Sequence, residues 1–149
     1  MLSEGVRHHR PLVVLLGPTA VGKSRVAVLV AKQFNTEILT ADSRQVYRGM
    51  DIGTDKPTAE ERRGVPHRLI DVVDPSETFN AGWYRRVAMV EIERLYGAGQ
   101  LPLVVGGTGL YLRTLVRGLC PAPQADLQVR GDLKKLRDER GRDGLYAEL

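Results

Sequence analysis

Residues 12–24 read LVVLLGPTAVGKS, a short apolar run followed at once by Gly17, Pro18, Thr19, Ala20, Val21, Gly22, Lys23 and Ser24. These last eight residues match G-x-x-x-x-G-K-[ST], the phosphate-binding loop that joins a buried strand to a helix. The glycines let backbone N–H groups turn toward an anion, and the helix that follows adds its unpaired amides and positive dipole end. In this pattern Lys23 places a charge on the phosphates, and the hydroxyl of Ser24 can ligate Mg²⁺. An ordinary glycine-rich turn is the alternative, but the strand before the motif and the helical pattern after it favour a phosphate site.

The composition is that of an ordinary globular protein. Its 149 residues are enough for one domain with a proper core and too few for two. The net charge of +4, from 22 Lys and Arg against 18 Asp and Glu, fits a polyanionic partner but is also common in proteins without one. The single cysteine, Cys120, excludes an internal disulfide and favours a reducing compartment. We interpret it as a packed side chain rather than a nucleophile, because nothing near it in the sequence suggests activation.

No part of the sequence indicates a membrane segment or a cleaved signal. No apolar run approaches the roughly 20 residues that a spanning helix needs. The apolar patch near the N-terminus leads directly into the phosphate loop, which does not fit a signal peptide. We therefore expect a cytoplasmic protein.

Apolar spacing and turn residues divide the chain into alternating strands and helices. A strand, the phosphate loop, a helix and a second strand form a βαβ opening, which predicts an α/β fold of three layers with a parallel sheet. The predicted elements after the loop are a helix over 23–34, a strand over 36–41, a short helix over 59–63, a strand over 67–73, a helix from the cap Asn80 to Tyr96, a strand over 101–105, a helix that starts near Leu110 and, beyond the linker 121–123, a charged helix over 126–140.

Ligands of parallel α/β sheets bind at the carboxyl ends of the strands. Asp42 follows the second strand and is therefore expected at the same edge as the phosphate loop. A carboxylate at that position indicates a functional role. Nucleotide hydrolases and kinases usually place an acidic residue after another buried strand to hold Mg²⁺. Here the strand LPLVV ends instead in Gly106, Gly107, Thr108 and Gly109, so the acidic candidates are Asp42 and Asp71.

This arrangement weakens a motor or GTPase interpretation and leaves two reactions open. In the first, the protein is a small-molecule or nucleotide kinase that uses ATP, with Asp42 as base or metal ligand. In the second, the loop holds a diphosphate leaving group and the chemistry takes place at carbon. The residue pattern alone does not choose between them.

Four segments in order, GPTAVGKS, ADSRQVYRGMDIGTDKP, VPHRLIDVVDP and LPLVVGGTGLYLRTLVRGL, resemble the tRNA dimethylallyltransferase (isopentenyltransferase) family. The resemblance covers about residues 12–133, and the second segment and GGTGLY are far more specific than the phosphate loop. It implies a P-loop NTPase-like core over 10–119, followed by the start of a tRNA-binding helical insertion over 120–149. Members transfer a dimethylallyl group from its diphosphate to the exocyclic amine of the adenosine 3′ of the anticodon in tRNA.

The resemblance also implies roles for individual residues. Gly17 to Ser24 hold the diphosphate, Lys23 stabilises its charge as it leaves, and Ser24 binds Mg²⁺. Asp42 lies beside the adenine amine and accepts its proton as the carbon–nitrogen bond forms. The expected tRNA contacts are Asp42, Ser43, Arg44, Gln45, Thr108 and Arg130, with Thr108 near the mouth of a channel that receives a flipped base.

Simpler interpretations stand beside some of these roles. Thr108 can cap the helix after its glycine turn, Arg130 can be surface decoration on a charged helix, and His67 is more often a packed histidine than a catalyst. Family members are much longer than this sequence, which ends just inside their insertion. The resemblance therefore implies a chain with the donor site and the base but without much of the RNA clamp. We expect tRNA and dimethylallyl diphosphate as partners, and a monomer.

Overall fold

The computed structural model describes residues 10–119 and 126–148 and falls into two compact units, divided between residues 119 and 120. The first unit contains a four-stranded parallel sheet in the order β1-β4-β2-β3. This confirms the predicted α/β class and the parallel sheet. The elements are β1 (Val13–Leu16), α1 (Lys23–Gln33), β2 (Ile38–Thr40), α2 (Ala59–Arg62), β3 (His67–Arg68), α3 (Ala81–Gly97), β4 (Leu103–Gly106), α4 (Gly109–Arg117) and α5 (Leu127–Tyr146).

Helices cover both faces of the sheet, as the strand side chains require. Successive residues of a strand point to opposite faces. On one face Ile38 and Leu103 pack with buried residues of α1. On the other face Leu39 and Val104 pack in a larger cluster with α3 and α4. The central strands β2 and β4 are therefore buried on both faces, and their ends form a rigid base for the loops that follow them.

The strand β1 lies at one edge of the described sheet, with β4 as its only neighbour there. Its side chains on the α1 face pack into the core, whereas Val14 and Leu16 are exposed by 37% and 59%. Within the described residues, β1 therefore forms an open edge of the sheet with an uncovered apolar row.

The third strand is shorter than the predicted span of 67–73. Only His67–Arg68 pairs with β2, because Leu69 and Asp71 adopt left-handed backbone conformations with φ of 65° and 57°. Val73 then forms an isolated parallel bridge with Tyr47, outside the four strands of the sheet. Leu69, Val72 and Val73 pack into the core although the backbone turns here. Their apolar spacing therefore resembles that of a strand.

The other predicted elements of the first unit are present with small shifts at their ends. Asn80 caps α3 through its side chain, which accepts a hydrogen bond from the Trp83 amide at 2.9 Å. Thr58 caps α2 in a reciprocal capping box with Glu61. Asn35 ends the α1 segment in a left-handed conformation with φ of 47°.

The second unit contains α5, which begins after its cap Asp126 and bends at Gly141, where φ is 70° and ψ is −170°. None of its residues is buried, and Leu127 is 82% exposed. Cys120 and the predicted linker 121–123 lie outside the described residues. Within the described ranges, no helix combines the length and the apolar character needed to cross a membrane.

Candidate active site

The phosphate loop leaves β1 and turns sharply into α1. Ala20 and Gly22 adopt left-handed conformations with φ of 66° and 86°, which turn the backbone ahead of the helix. No side chain caps the N-terminus of α1 and no acidic residue lies in its first turn. The positive end of the helix is therefore free of competing negative charge and suits an anion. The ammonium group of Lys23 donates to the Pro18 carbonyl, which keeps this charge against the loop.

A cavity opens at the carboxyl ends of β2 and β4, on the face of the sheet that α1 covers. The phosphate loop forms one side, the segment after β2 forms another, and strand residues form the floor. Its lining comprises Thr19, Lys23, Ser24, Ala27, Ile38, Thr40, Asp42, Arg44, Gln45, Gly53, Thr54, Asp55, Pro57, His67, Val105, Gly106 and Gly107. The structure thus brings Lys23 and Ser24 into one cavity with Asp42, as the strand-end argument predicted.

Asp42 is held by the backbone that follows it. Its Oδ1 accepts hydrogen bonds from the amides of Arg44 at 2.8 Å and Gln45 at 3.3 Å. No described residue donates to Oδ2 within hydrogen-bond range, so this oxygen remains able to accept a proton or bind a cation. The side chain is half-buried, and the two amides restrict its rotation.

The glycine turn after β4 lies directly against the start of this segment. A Cβ on Gly106 would overlap the backbone carbonyl group of Ala41, which explains why only glycine fits there. The Thr108 amide donates to the Ala41 carbonyl at 3.1 Å. The Thr108 hydroxyl accepts from the Ser43 amide at 2.9 Å, and it does not cap α4 although Thr108 occupies the cap position. The capping interpretation of this side chain is therefore wrong.

Residues 50–57, called the wall loop below, form another side of the cavity through Gly53, Thr54, Asp55 and Pro57. The side-chain amide of Gln45 donates to the carbonyls of Thr54 at 3.0 Å and Asp55 at 2.8 Å. Gln45 was predicted to contact tRNA, but its nitrogen is used to hold this loop. Only its side-chain oxygen is left for a ligand.

Lys56 anchors the far end of the wall loop. Its ammonium group, on a side chain only 5% exposed, donates to the Tyr47 carbonyl at 2.6 Å, to Asp51 at 2.8 Å and to Asp71 at 2.6 Å. Burial opposes the charge, but hydrogen bonds to the two carboxylates outweigh it and raise the pKa of Lys56. Asp71, the second acidic candidate of the sequence, is thus engaged with Lys56 and does not line the cavity. Sequence reasoning assigned no role to Lys56.

His67 lines the floor of the cavity, where its position on β3 pairs with Ile38 of β2. Its Nδ1 lies 3.0 Å from the Val65 carbonyl and so carries the proton of the neutral ring. Burial, followed by the charge of Arg62, lowers the pKa of His67 despite the hydrogen bond to Val65. The packed interpretation of His67 is compatible with these contacts, but the residue also faces the space that a ligand would occupy.

The remaining predicted residues lie in two places. Arg44 is exposed and lines both this cavity and a neighbouring one formed with Pro18, Ser43 and Thr108. Arg130 lies on α5 in the second unit. Over 10–119 and 126–148, no cluster of three or more His, Cys, Asp or Glu side chains is arranged to hold a metal ion. The cavity does contain side-chain oxygens of the kind that Mg²⁺ prefers, among them those of Ser24, Asp42 and Asp55.

Comparison with known proteins gives a consistent picture. The family model described as IPP transferase matches residues 45–149, and the model described as isopentenyl transferase matches residues 11–76. The chain is 50% identical over 139 residues to a tRNA dimethylallyltransferase of Syntrophotalea carbinolica, which covers 93% of this chain and 44% of that protein.

Solved structures agree with these matches. A full-length tRNA isopentenylpyrophosphate transferase from Bacillus halodurans is 44% identical, with a TM-score of 0.74 over 93% of this chain and 46% of its own. A eukaryotic dimethylallyltransferase captured acting on tRNA is 28% identical, with a TM-score of 0.73 over 92% of this chain and 40% of its own. The chain thus spans less than half the length of the relatives that it matches.

Proposed function

The chain belongs to the IPP transferase family, and we propose that it carries the donor site and the base of a tRNA dimethylallyltransferase. In this proposal the enzyme transfers a dimethylallyl group from dimethylallyl diphosphate to the exocyclic amine of the adenosine 3′ of the anticodon. The observation that carries the proposal is the single cavity shared by Lys23, Ser24 and Asp42. It pairs an anion site with a carboxylate in the way that an alkyl transfer to an amine requires.

The reaction needs little more than these groups. The amine nitrogen attacks the allylic carbon, the bond from that carbon to the diphosphate oxygen breaks, and diphosphate leaves. Lys23 and the amides at the start of α1 stabilise the negative charge that develops on the leaving group. Asp42 takes the proton that the amine loses, and its anchored Oδ1 leaves Oδ2 to do so.

A divalent cation, which we take to be Mg²⁺, fits the phosphate end of the cavity. The hydroxyl of Ser24 and the carboxylate of Asp42 line the cavity, and oxygen is the ligand that Mg²⁺ prefers. When bound, such an ion would neutralise charge on the leaving diphosphate. Ser24 would hold it, and Asp42 and Asp55 are the carboxylates that line the same cavity.

The tRNA contacts form a second part of the proposal. The target adenine must leave its stack to reach a cavity at the strand ends. Ser43, Arg44 and Thr108 line the neighbouring cavity together with Asp42, and we propose that they border the entering nucleotide. The Ser43 amide donates to the Thr108 hydroxyl, which in turn donates to the Ser43 hydroxyl at 3.4 Å, so the O–H of Ser43 and the Arg44 guanidinium are the donors left to contact RNA.

The domain division belongs to the proposal as well. We assign residues 10–119 to the P-loop core and residues 120–149 to the start of the tRNA-binding insertion, with Arg130 as a phosphate contact. A monomeric enzyme in the cytoplasm, where its tRNA substrate is found, completes the proposal.

A kinase that uses ATP is the alternative, and the fold does not favour it. A phosphate loop alone suits either reaction. Gly106 at the end of β4, however, packs so closely on Ala41 that no side chain fits there, which excludes the acidic metal ligand common in phosphoryl transfer from this position.

The test compares donors with unmodified tRNA. We expect isopentenyladenosine to form with dimethylallyl diphosphate and no phosphoryl transfer with ATP, measured by mass spectrometry of digested tRNA. Asp42→Asn should abolish the product while binding of Mg²⁺ and pyrophosphate persists. Asp74→Asn is the matched control, because Asp74 is an exposed carboxylate outside the cavity that pairs with Arg48. Phosphoryl transfer from ATP without a prenyl product would overturn the proposal.

A further inference from the structure

The tip of the wall loop carries apolar side chains that contact little of the protein. Ile52 is 101% exposed and Met50 is 40% exposed. A single exposed apolar residue is common on protein surfaces. Two such residues flanking one position at the tip of a loop are a local apolar surface with no described function.

This exposure does not come from a loosely held loop. Besides the bonds from Gln45 and Lys56, the Thr54 hydroxyl donates to the Met50 carbonyl, and Thr54 itself is buried. Gly49 and Gly53 adopt left-handed conformations, with φ of 68° and 79°, on either side of the tip. The loop is thus tied on its inner side at several points, while its apolar tip faces solvent.

The tip also lies next to the cavity. Gly53, Thr54 and Asp55, which follow Ile52 directly, form part of the cavity lining together with Asp42. The exposed guanidinium of Arg44 lines the same cavity and provides positive charge. A basic group beside a rigid apolar tip at the mouth of a site suits a polyanion that also presents apolar faces, which describes RNA with unstacked bases.

We propose that Met50 and Ile52 form a contact surface for the nucleobases that flank the adenosine entering the cavity. Extraction of one base from its stack exposes the faces of its neighbours, and apolar side chains can cover such faces. The contact would be independent of base identity, because it uses no hydrogen bond. This inference rests on the proposed function, since it needs RNA as the substrate.

The experiment measures binding of an unmodified anticodon stem-loop RNA to the full chain and to four variants. Ile52→Ser and Met50→Ser should weaken the Kd for RNA by about threefold to tenfold, as expected for partial burial of one apolar side chain. Val90→Ser is the matched control, because Val90 is 68% exposed on α3, on the other face of the sheet, and should bind as the wild type does. Calorimetric binding of Mg²⁺ and pyrophosphate should be unchanged in all variants, which reports an intact phosphate loop.

Salt dependence gives a second readout. Loss of an uncharged side chain should leave the slope of log Kd against log salt unchanged, whereas Arg44→Gln should reduce it. Unchanged RNA affinity in Ile52→Ser and Met50→Ser would overturn this inference and leave the proposed function intact. Normal pyrophosphate binding with no RNA binding by the wild-type chain would overturn both the inference and the RNA role of this chain. Reduced self-association of Ile52→Ser at unchanged RNA affinity would assign the tip to a protein contact instead.

Discussion

The hydroxyl of Thr108 accepts a hydrogen bond from the backbone amide of Ser43 at 2.9 Å, 65 residues earlier in the chain. Together with the bond from the Thr108 amide to Ala41, it joins the turn after β4 to the segment that carries Asp42. Thr108 therefore positions the carboxylate segment, in addition to any contact with RNA. The predictions below begin with this pair.

Thr108→Val removes the acceptor but keeps the shape of the side chain. We expect the free energy of unfolding to fall by about 1 kcal/mol, the usual net value of one hydrogen bond. Prenyl transfer should fall as well, because the segment after Asp42 loses its anchor. Thr108→Ser keeps the hydroxyl and should retain most of both quantities, measured by urea denaturation and product formation. Equal behaviour of the two variants would rule out the role of the hydroxyl.

Gly106→Ala tests the close approach between β4 and β2. The added Cβ would overlap the Ala41 carbonyl group, so we expect a loss of about 1–3 kcal/mol in unfolding free energy. Gly109→Ala is the control, because no atom lies within 4 Å of a Cβ at this position at the start of α4. For Gly109→Ala we expect the free energy of unfolding to rise by up to about 1 kcal/mol, because alanine has the higher helix propensity. A neutral Gly106→Ala would show that the strand ends can separate without cost.

Lys56→Met tests the anchor of the wall loop and its pH dependence. The folded pKa of Lys56 lies above its ordinary value of 10.5. The contribution of the Lys56 ion pairs to the free energy of unfolding is therefore fully present below pH 10.5 and is lost as the pH rises through the folded pKa. The difference in unfolding free energy between wild type and Lys56→Met should stay constant through neutral pH and shrink only in alkali. A difference that varies between about pH 6 and pH 9 would contradict this assignment, and Lys32→Met, an exposed lysine of α1, serves as the control.

His67→Gln tests the buried imidazole on the cavity floor. Because burial lowers its folded pKa below 6.5, the unfolded chain binds the proton more readily. The contribution of neutral His67 to the free energy of unfolding should be fully present above pH 6.5 and decline as the pH falls through the lowered pKa of His67. In the variant this part of the acid sensitivity should be missing, as seen in urea denaturation at about pH 8 and pH 5. Parallel pH profiles of the two proteins would show that His67 remains solvated.

Arg130→Ala tests the proposed phosphate contact on α5. We expect weaker RNA binding and a salt slope smaller in magnitude by about 0.7 to 0.9, the effect of one lost phosphate contact. Gln128→Ala, a change without charge on the same helix, should leave the slope unaltered. A slope that does not change in Arg130→Ala would remove this residue from the tRNA contacts.

The elements that could be predicted were those with a local cause. The phosphate loop, the cap Asn80 and the position of Asp42 at a strand end follow from turn chemistry and strand topology, which nearby residues determine. The segment 67–73 could not be predicted correctly, because Leu69 and Asp71 adopt left-handed conformations that its apolar spacing does not reveal. Tertiary hydrogen bonds of Arg48 to the carbonyls of Asp71 and Val72 hold that turn.

The site shows the same division between local and tertiary causes. Gln45 stands in a motif that suggested RNA contact, yet its amide supports a loop ten residues later. Lys56 has two carboxylate partners, and one of them is 15 residues away in sequence. Such contacts form only after the chain returns on itself, so composition and spacing carry no signal for them.

The edge position of β1 has a consequence for ligand recognition. Within residues 10–119 and 126–148, β1 pairs only with β4, and a strand paired on one side opens locally at a lower free-energy cost than a central strand does. The phosphate loop extends directly from this strand, so each local opening would also dissolve the anion site. A bound diphosphate therefore stabilises this edge strand against local opening, and the protection of β1 amides against hydrogen exchange becomes a measure of donor occupancy.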